Sequence, residues 1–136
     1  MPYRHRIVVD TNVVVSGLLF PSSTLSQALR KAQTWDMLAS EATKLEIIEV
    51  LSRPKFDRYI ELHIRRQLAA EYIHACETIA VHSTIQACRD AKDNKFLELA
   101  VDGRADLILT GDQDLLPLSP FRGIPILTPM EYLAED

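Results

Sequence analysis

Glycine is scarce in this chain: Gly17, Gly103, Gly111 and Gly123 are the only four in 136 residues. Neither a G-x-G-x-x-G turn nor a Walker A loop can be assembled from them, so nucleotide-cofactor and NTPase chemistry are set aside. Cysteine is nearly absent. Cys76 and Cys88 form no C-x-x-C pair, as expected of two ordinary thiols in a cytoplasmic protein. His5, His63, His74 and His82 show no H-x-x-x-H zinc spacing, and no serine sits in a G-x-S-x-G elbow. No apolar run approaches the roughly 18 residues of a membrane helix. Too few apolar residues follow the basic start, Met1 to Arg6, to make a secretory segment.

Excess positive charge is missing as well. Fifteen basic and nineteen acidic side chains leave a net charge of −4, which argues against gripping nucleic acid by bulk charge. The sign is not decisive, because four of the acids form a candidate site of their own. A divalent cation held among them would reverse the local field.

What is present is a strand–helix rhythm in a chain sized for one domain, residues 1–136. Ile7 to Val9 reads as a buried strand. A serine in Pro21-Ser22-Ser23 caps a helix to about Ala32, with Leu25, Ala28, Leu29 and Ala32 on one face. Trp35 to Ala39 reads as a short strand. Ser40 caps a helix over 41–52 that Pro54 stops, and Asp57 to Cys76 reads as a long amphipathic helix with Ile60, Ile64, Leu68 and Tyr72 inward. Further strands are expected at Thr78 to His82, Asp106 to Thr110 and Ile124 to Leu127. Between them lies a helix bearing Phe96, Leu97, Ala100 and Val101 that Gly103 ends. Thr128-Pro129-Met130-Glu131 carries N-cap Thr, N1 Pro and N3 Glu for a last helix. Alternation of this kind predicts a mostly parallel sheet with helices on both faces.

Four carboxylates stand at the punctuation points: Asp10, Glu46, Asp93 and Asp112. Asp10 follows Ile7-Val8-Val9, and Asp112 follows Leu107-Ile108-Leu109 within Thr110-Gly111-Asp112-Gln113-Asp114. In an open parallel sheet the loops at the carboxyl ends of the strands form the ligand crevice. Acids gathered there repel one another unless a divalent metal sits between them, which points to metal-dependent chemistry on a phosphate ester. Local readings compete. Asp10 can be a turn residue; Asp93 can be a helix N-cap, with Asp90 its rival three residues upstream. On helix periodicity alone Glu46 reads as a solvated glutamate. Its neighbour Glu49 has an i,i+4 partner in Arg53, which favours Glu46 of the two.

Four segments together resemble the PIN-domain family. They are Val8-Val9-Asp10-Thr11-Asn12-Val13, the stretch from Leu45-Glu46-Ile47 to Pro54-Lys55-Phe56, the stretch from Asp90 through Asp93 to Ala100, and the stretch from Ala105 to Leu116. The resemblance covers nearly the whole chain in order and is nearest the small prokaryotic VapC toxins of toxin–antitoxin pairs. It implies an α/β/α sandwich around a mostly parallel sheet of about five strands, and Mg²⁺- or Mn²⁺-dependent cleavage of RNA. By that resemblance Asp10, Glu46, Asp93 and Asp112 are the catalytic, metal-holding acids. Thr11, Asn12 and Thr110 support them, and Asp114 is a further acid of the same loop. A homodimer and a cognate antitoxin are implied as partners.

Arg4, Arg6, Arg53, Lys55, Lys92 and Lys95 lie near the ends of these elements as candidate phosphate contacts. Two rival classes remain. A haloacid-dehalogenase-like phosphatase also begins with Asp after its first strand, but Asn12 stands where that chemistry needs a second acid. A non-catalytic RNA- or protein-binding module would keep the fold and bind without metal.

Overall fold

In the computed structural model, which describes residues 5–135, the centre is a sheet of five parallel strands. They are β1 (Arg6–Val9), β2 (Asp36–Ala39), β3 (Glu77–Thr78), β4 (Leu107–Leu109) and β5 (Ile126–Leu127), in the order β3-β2-β1-β4-β5. Six helices accompany them: α1 (Thr11–Leu19), α2 (Thr24–Ala32), α3 (Glu41–Leu51), α4 (Leu62–Ala75), α5 (Asn94–Asp102) and α6 (Pro129–Ala134). This is the α/β/α arrangement expected from the alternating pattern.

The two-residue period of a strand divides the core into two layers. Ile7, Val9, Met37, Leu107 and Leu109 pack beneath residues of α1, α2, α3, α4 and α6. Val8, Leu38, Ile108 and Ile126 point the other way, against Phe96, Leu97, Leu99 and Ala100 of α5. Phe96 and Leu97 are fully buried, and each such side chain contributes about 1.5–3 kcal/mol by leaving water.

Local signals set most helix ends. Ser23 accepts from Ser26 N, Ser40 and Thr43 form a reciprocal capping box, and so do Thr128 and Glu131. Gly103 ends α5, yet its φ of −85° is ordinary right-handed backbone. Space is what requires glycine there: a Cβ would stand 2.8 Å from the backbone oxygen of Leu99 and 2.7 Å from Leu38 Cδ1.

Three expectations need correction. The sequence pattern assigns no element between Asp10 and Pro21, where α1 forms. The helix is buried on nearly every side, so no polar face marks its period. Gly17 lets α2 approach closely, since a Cβ there would lie 2.9 Å from Leu29 Cδ2.

The helix expected from Asp57 begins only at Leu62, after a 3-10 turn over Pro54–Phe56. Its buried stripe is Arg65, Ala69 and Tyr72; Ile64 is exposed. Arg65 displaces the apolar face because its guanidinium serves carbonyls at the end of α3. Its Nη1 donates to Leu51 O at 2.6 Å and Arg53 O at 3.1 Å, and its Nε to Ile60 O at 2.8 Å.

The strand expected over Thr78 to His82 is only β3, which pairs Glu77 with Leu38 and Thr78 with Ala39. Beyond it the chain leaves the sheet and is held along α5 instead. Asp102 accepts from His82 N and Ser83 N, Glu98 from Ile85 N, and Asn94 from Ala87 N and Cys88 N. Those three acceptors recur every four residues, so one face of α5 forms a ladder for an extended strap.

Candidate metal centre

The sheet order reverses between β1 and β4: the chain moves from β1 outward to β2 and β3, then returns to the other side of β1 at β4. Ligand crevices in open α/β sheets form at such a switch point. The register aligns Val9 with Leu109, which brings Asp10 and Thr110 side by side at the carboxyl ends. Asp10 N donates to Leu109 O at 2.9 Å, locking the two exits together.

A run of hydrogen bonds then orders the acidic loop. Thr110, fully buried, donates its hydroxyl to Asp10 Oδ2 at 2.5 Å. Asp112 N donates to Thr110 Oγ1 at 2.9 Å, and Asp114 N donates to Asp112 Oδ1 at 2.8 Å. The other oxygen of Asp10 accepts from Asn12 N at 3.1 Å, so Asp10 doubles as the N-cap of α1.

Asn12 therefore supports Asp10 through its backbone, and its side chain is exposed. Thr11 serves a different acid: its hydroxyl donates to Glu46 Oε1 at 2.5 Å. Lys95 ion-pairs with the other oxygen of Glu46, so this glutamate of α3 is bound between α1 and α5. Glu49 pairs with Arg53 at 2.9 Å, as expected.

Asp93 occupies the N-cap position of α5, but its side chain makes no capping hydrogen bond. Asp90 caps the preceding turn through Lys92 N instead. Asp93 is freed to face Asp112, and one ligand oxygen each from Asp90, Asp93 and Asp114 lie within 4.8 Å of one another. Crowding shows in the acidities. Burial, then a carboxyl–carboxylate hydrogen bond with Asp112 and the charges of Asp112, Asp90 and Asp10, push Asp93 up to about 7. Burial also raises Asp10, against the lowering effect of Thr110 and Asn12 N. Nearby, burial and the charges of Asp93, Asp112, Asp114 and Asp90 push the Cys88 thiol up to about 11.

The site opens into a cavity of about 540 Å³ lined by Asp10, Asn12, Asp112 and Asp114 among others. Its donors are carboxylate oxygens, the set that hard divalent cations such as Mg²⁺ and Mn²⁺ prefer. A buried aspartate beside a proton-sharing acid pair is the electrostatic debt that such a cation would relieve. The residues present thus fit a divalent metal.

Sequence reasoning missed the basic residue of the lining. Arg89 sits at the rim, and its Nη2 lies 2.7 Å from Asp114 Oδ1. The adjoining run Arg89-Asp90 was the available signal. Of the candidate phosphate contacts, Arg6 is at the opposite, amino end of β1, paired with Glu77 at 2.9 Å. Arg53 and Lys95 are engaged by glutamates, Lys92 is exposed, Lys55 lies over the Phe56 ring, and Arg4 lies outside the described residues.

Carboxylates gathered at a parallel-sheet switch point offer oxygen ligands of the kind a hard cation takes. A family model for the PIN domain matches residues 6–114, and the chain belongs to that family. It is 30% identical to an uncharacterized protein of Methanocaldococcus jannaschii, over 96% of this chain and 90% of that one. Its fold is similar to that of VapBC2 from Rickettsia felis, solved bound to a DNA fragment from their promoter. That match has a TM-score of 0.62 and 10% identity, and covers 90% of this chain and 98% of the other. DNA-bound VapBC from Salmonella typhimurium is similar at a TM-score of 0.58 and 12% identity, covering 92% and 98%. No helix among the described residues is long and apolar enough to cross a membrane.

Proposed function

We propose that this chain is a divalent-metal-dependent ribonuclease that hydrolyses RNA phosphodiester bonds, acting as the toxin of a toxin–antitoxin pair. The observation that carries the reading is the crowding of carboxylates at the sheet switch point, where Asp10 and the Asp112 loop leave adjacent strands and Asp90, Asp93 and Asp114 bring oxygens within 4.8 Å of one another. Membership of the PIN family supports nuclease chemistry, and the likeness in fold to VapBC proteins supports an antitoxin partner. A homodimer and a cytoplasmic location follow from the family resemblance.

Asp10, Asp93 and Asp112 would hold Mg²⁺ or Mn²⁺, with Glu46 completing the set. When bound, such an ion supplies charge neutralisation at the phosphoryl oxygens and a lowered pKa for an attacking water. The protein's own part is positioning. Thr110 and Asn12 N fix both oxygens of Asp10, so its rotamer is set before any ligand arrives. Thr11 and Lys95 hold Glu46 in the same way, where it would orient the water. The Thr110–Asp112–Asp114 chain keeps the loop from relaxing away from its neighbour strand.

The test is cleavage of a mixed-sequence single-stranded RNA with Mn²⁺, Mg²⁺ or EDTA, beside Asp10→Asn. Metal-dependent cutting that the variant loses is the expected result. Phosphate release from a generic phosphomonoester without RNA cleavage would move the assignment to a phosphatase. RNA binding indifferent to EDTA, with neither activity, would move it to a binding module.

A further inference from the structure

An acid-lined crevice that must receive a polyanion needs a cation of its own, and among the described residues Arg89 is the one cation lining this cavity. We infer that Arg89 is the site's RNA-phosphate contact, held on Asp114 until substrate arrives. The inference rests on the ribonuclease reading and adds a residue that the four acids do not include.

Three observations converge. First, its backbone is fixed on both sides. Ala87 N and Cys88 N donate to the buried Asn94 side chain just upstream, and Asp90 is tied to Lys92 N just downstream. Second, its head is solvent-exposed: the Arg89 side chain is 86% exposed, although its ion-pair partner Asp114 is only 19% exposed. An exposed ion pair of this kind is weakly held, so the guanidinium can exchange carboxylate for phosphate at little cost. Third, the guanidinium has the right shape. Its planar fork pairs with phosphate oxygens as readily as with a carboxylate. The strap along α5 therefore delivers a fixed stem with a movable cation to the mouth of the acidic cavity. Lys95, the other basic side chain close to the acids, is engaged by Glu46.

Arg89 also masks Asp114. Removing it leaves that acid unpaired, which adds negative charge at the cavity. Loss of Arg89 should thus weaken RNA binding and strengthen cation binding, opposite effects that no general loosening of the site would produce.

The experiment measures binding of a fluorescent single-stranded RNA in Mg²⁺ by anisotropy, in an Asp10→Asn background that prevents cleavage. Adding Arg89→Ala should weaken binding about ten- to a hundredfold, the loss of one charged hydrogen-bonded contact. The slope of log Kd against log salt should fall by about 0.7, the share of one single-strand phosphate. Arg89→Lys should keep the slope. Calorimetry with Mn²⁺ alone should show Arg89→Ala binding the ion more tightly, and Tm should not change because the side chain is exposed. Unchanged Kd and slope in Arg89→Ala overturn the inference, as does weakened Mn²⁺ binding alongside weakened RNA binding. RNA binding absent in every variant, and also in the protein with Asp10 intact held in EDTA, overturns it too. If wild type binds RNA with an Arg89-dependent slope but cleaves nothing, the ribonuclease reading falls and the phosphate contact stands.

Discussion

Replacing Arg65 by Met should unfold this protein far more readily than any change at the candidate site. The Arg65 side chain is fully buried and donates to the carbonyls of Leu51, Arg53 and Ile60, and to Asp57. Methionine fills much of the volume but offers no donor. Each carbonyl left without a partner costs about 1–3 kcal/mol, and such losses are not additive. Asp57 adds little, because its side chain is 65% exposed and recovers water. Removing one partner from a buried charged network typically costs about 3–5 kcal/mol, the value expected here. That is a large share of a total stability of about 5–15 kcal/mol. For a chain of this size it corresponds to a fall in Tm of roughly 10–20 °C. Urea titration at constant m-value is the assay, with Asp57→Asn as a control costing under about 1 kcal/mol. A loss below about 1 kcal/mol in Arg65→Met would refute the claim that this guanidinium secures the α3–α4 turn.

Other contacts set further expectations. Asp93 titrates near 7 when folded and near 4 when unfolded, so the folded state binds the extra proton between those values. Stability in EDTA should therefore fall as pH rises from about 4 to 7, and saturating Mn²⁺ should flatten that slope; a rising curve in EDTA would contradict the crowding. Asp93→Asn should raise Tm in EDTA and abolish the gain from Mn²⁺, measured by thermal shift. Tyr132 has a fully buried hydroxyl with no hydrogen-bond partner among the described residues, so Tyr132→Phe should be neutral or stabilising by up to about 1 kcal/mol in urea. Asn94→Ala should raise amide exchange at Ala87 and Cys88 while leaving β1 and β4 protected, read by hydrogen-exchange mass spectrometry.

The parts of the fold legible in the sequence are those where local chemistry and burial agree. Ser40, Ser23 and Thr128 announce helix starts because their side chains satisfy orphan backbone amides that need no tertiary context. β1 and β4 announce themselves because both faces are buried. The illegible parts are those where tertiary contacts reassign a residue. Helix α1 is buried almost all round, so periodicity had no polar side to detect, and its valines favour a strand until packing overrules them. Arg65 reads as a surface arginine until the carbonyls it serves are brought around it. The strap over α5 has the β-rich composition of a strand, but its backbone donors are spent on Asn94, Glu98 and Asp102 rather than on β2.

The candidate site divides along the same line. Asp10 and Asp112 were legible from position, since the loops leaving adjacent parallel strands emerge together at one edge of the sheet. Asp93 was ambiguous, because an acid before a helix is ordinarily its cap. Only the geometry shows Asp90 capping the preceding turn and leaving Asp93 uncapped and crowded. Glu46 was least legible of all. Nothing in the sequence of α3 says that Thr11 and Lys95, from two other helices, converge on one glutamate. This pairing has a consequence that separates support from surface charge. Lys95→Met should leave Glu46 half-buried with only Thr11, so its affinity for a bound cation should rise while its orientation loosens. The expected signature is tighter Mn²⁺ binding by calorimetry with slower RNA cleavage, whereas a merely solvated lysine would move neither.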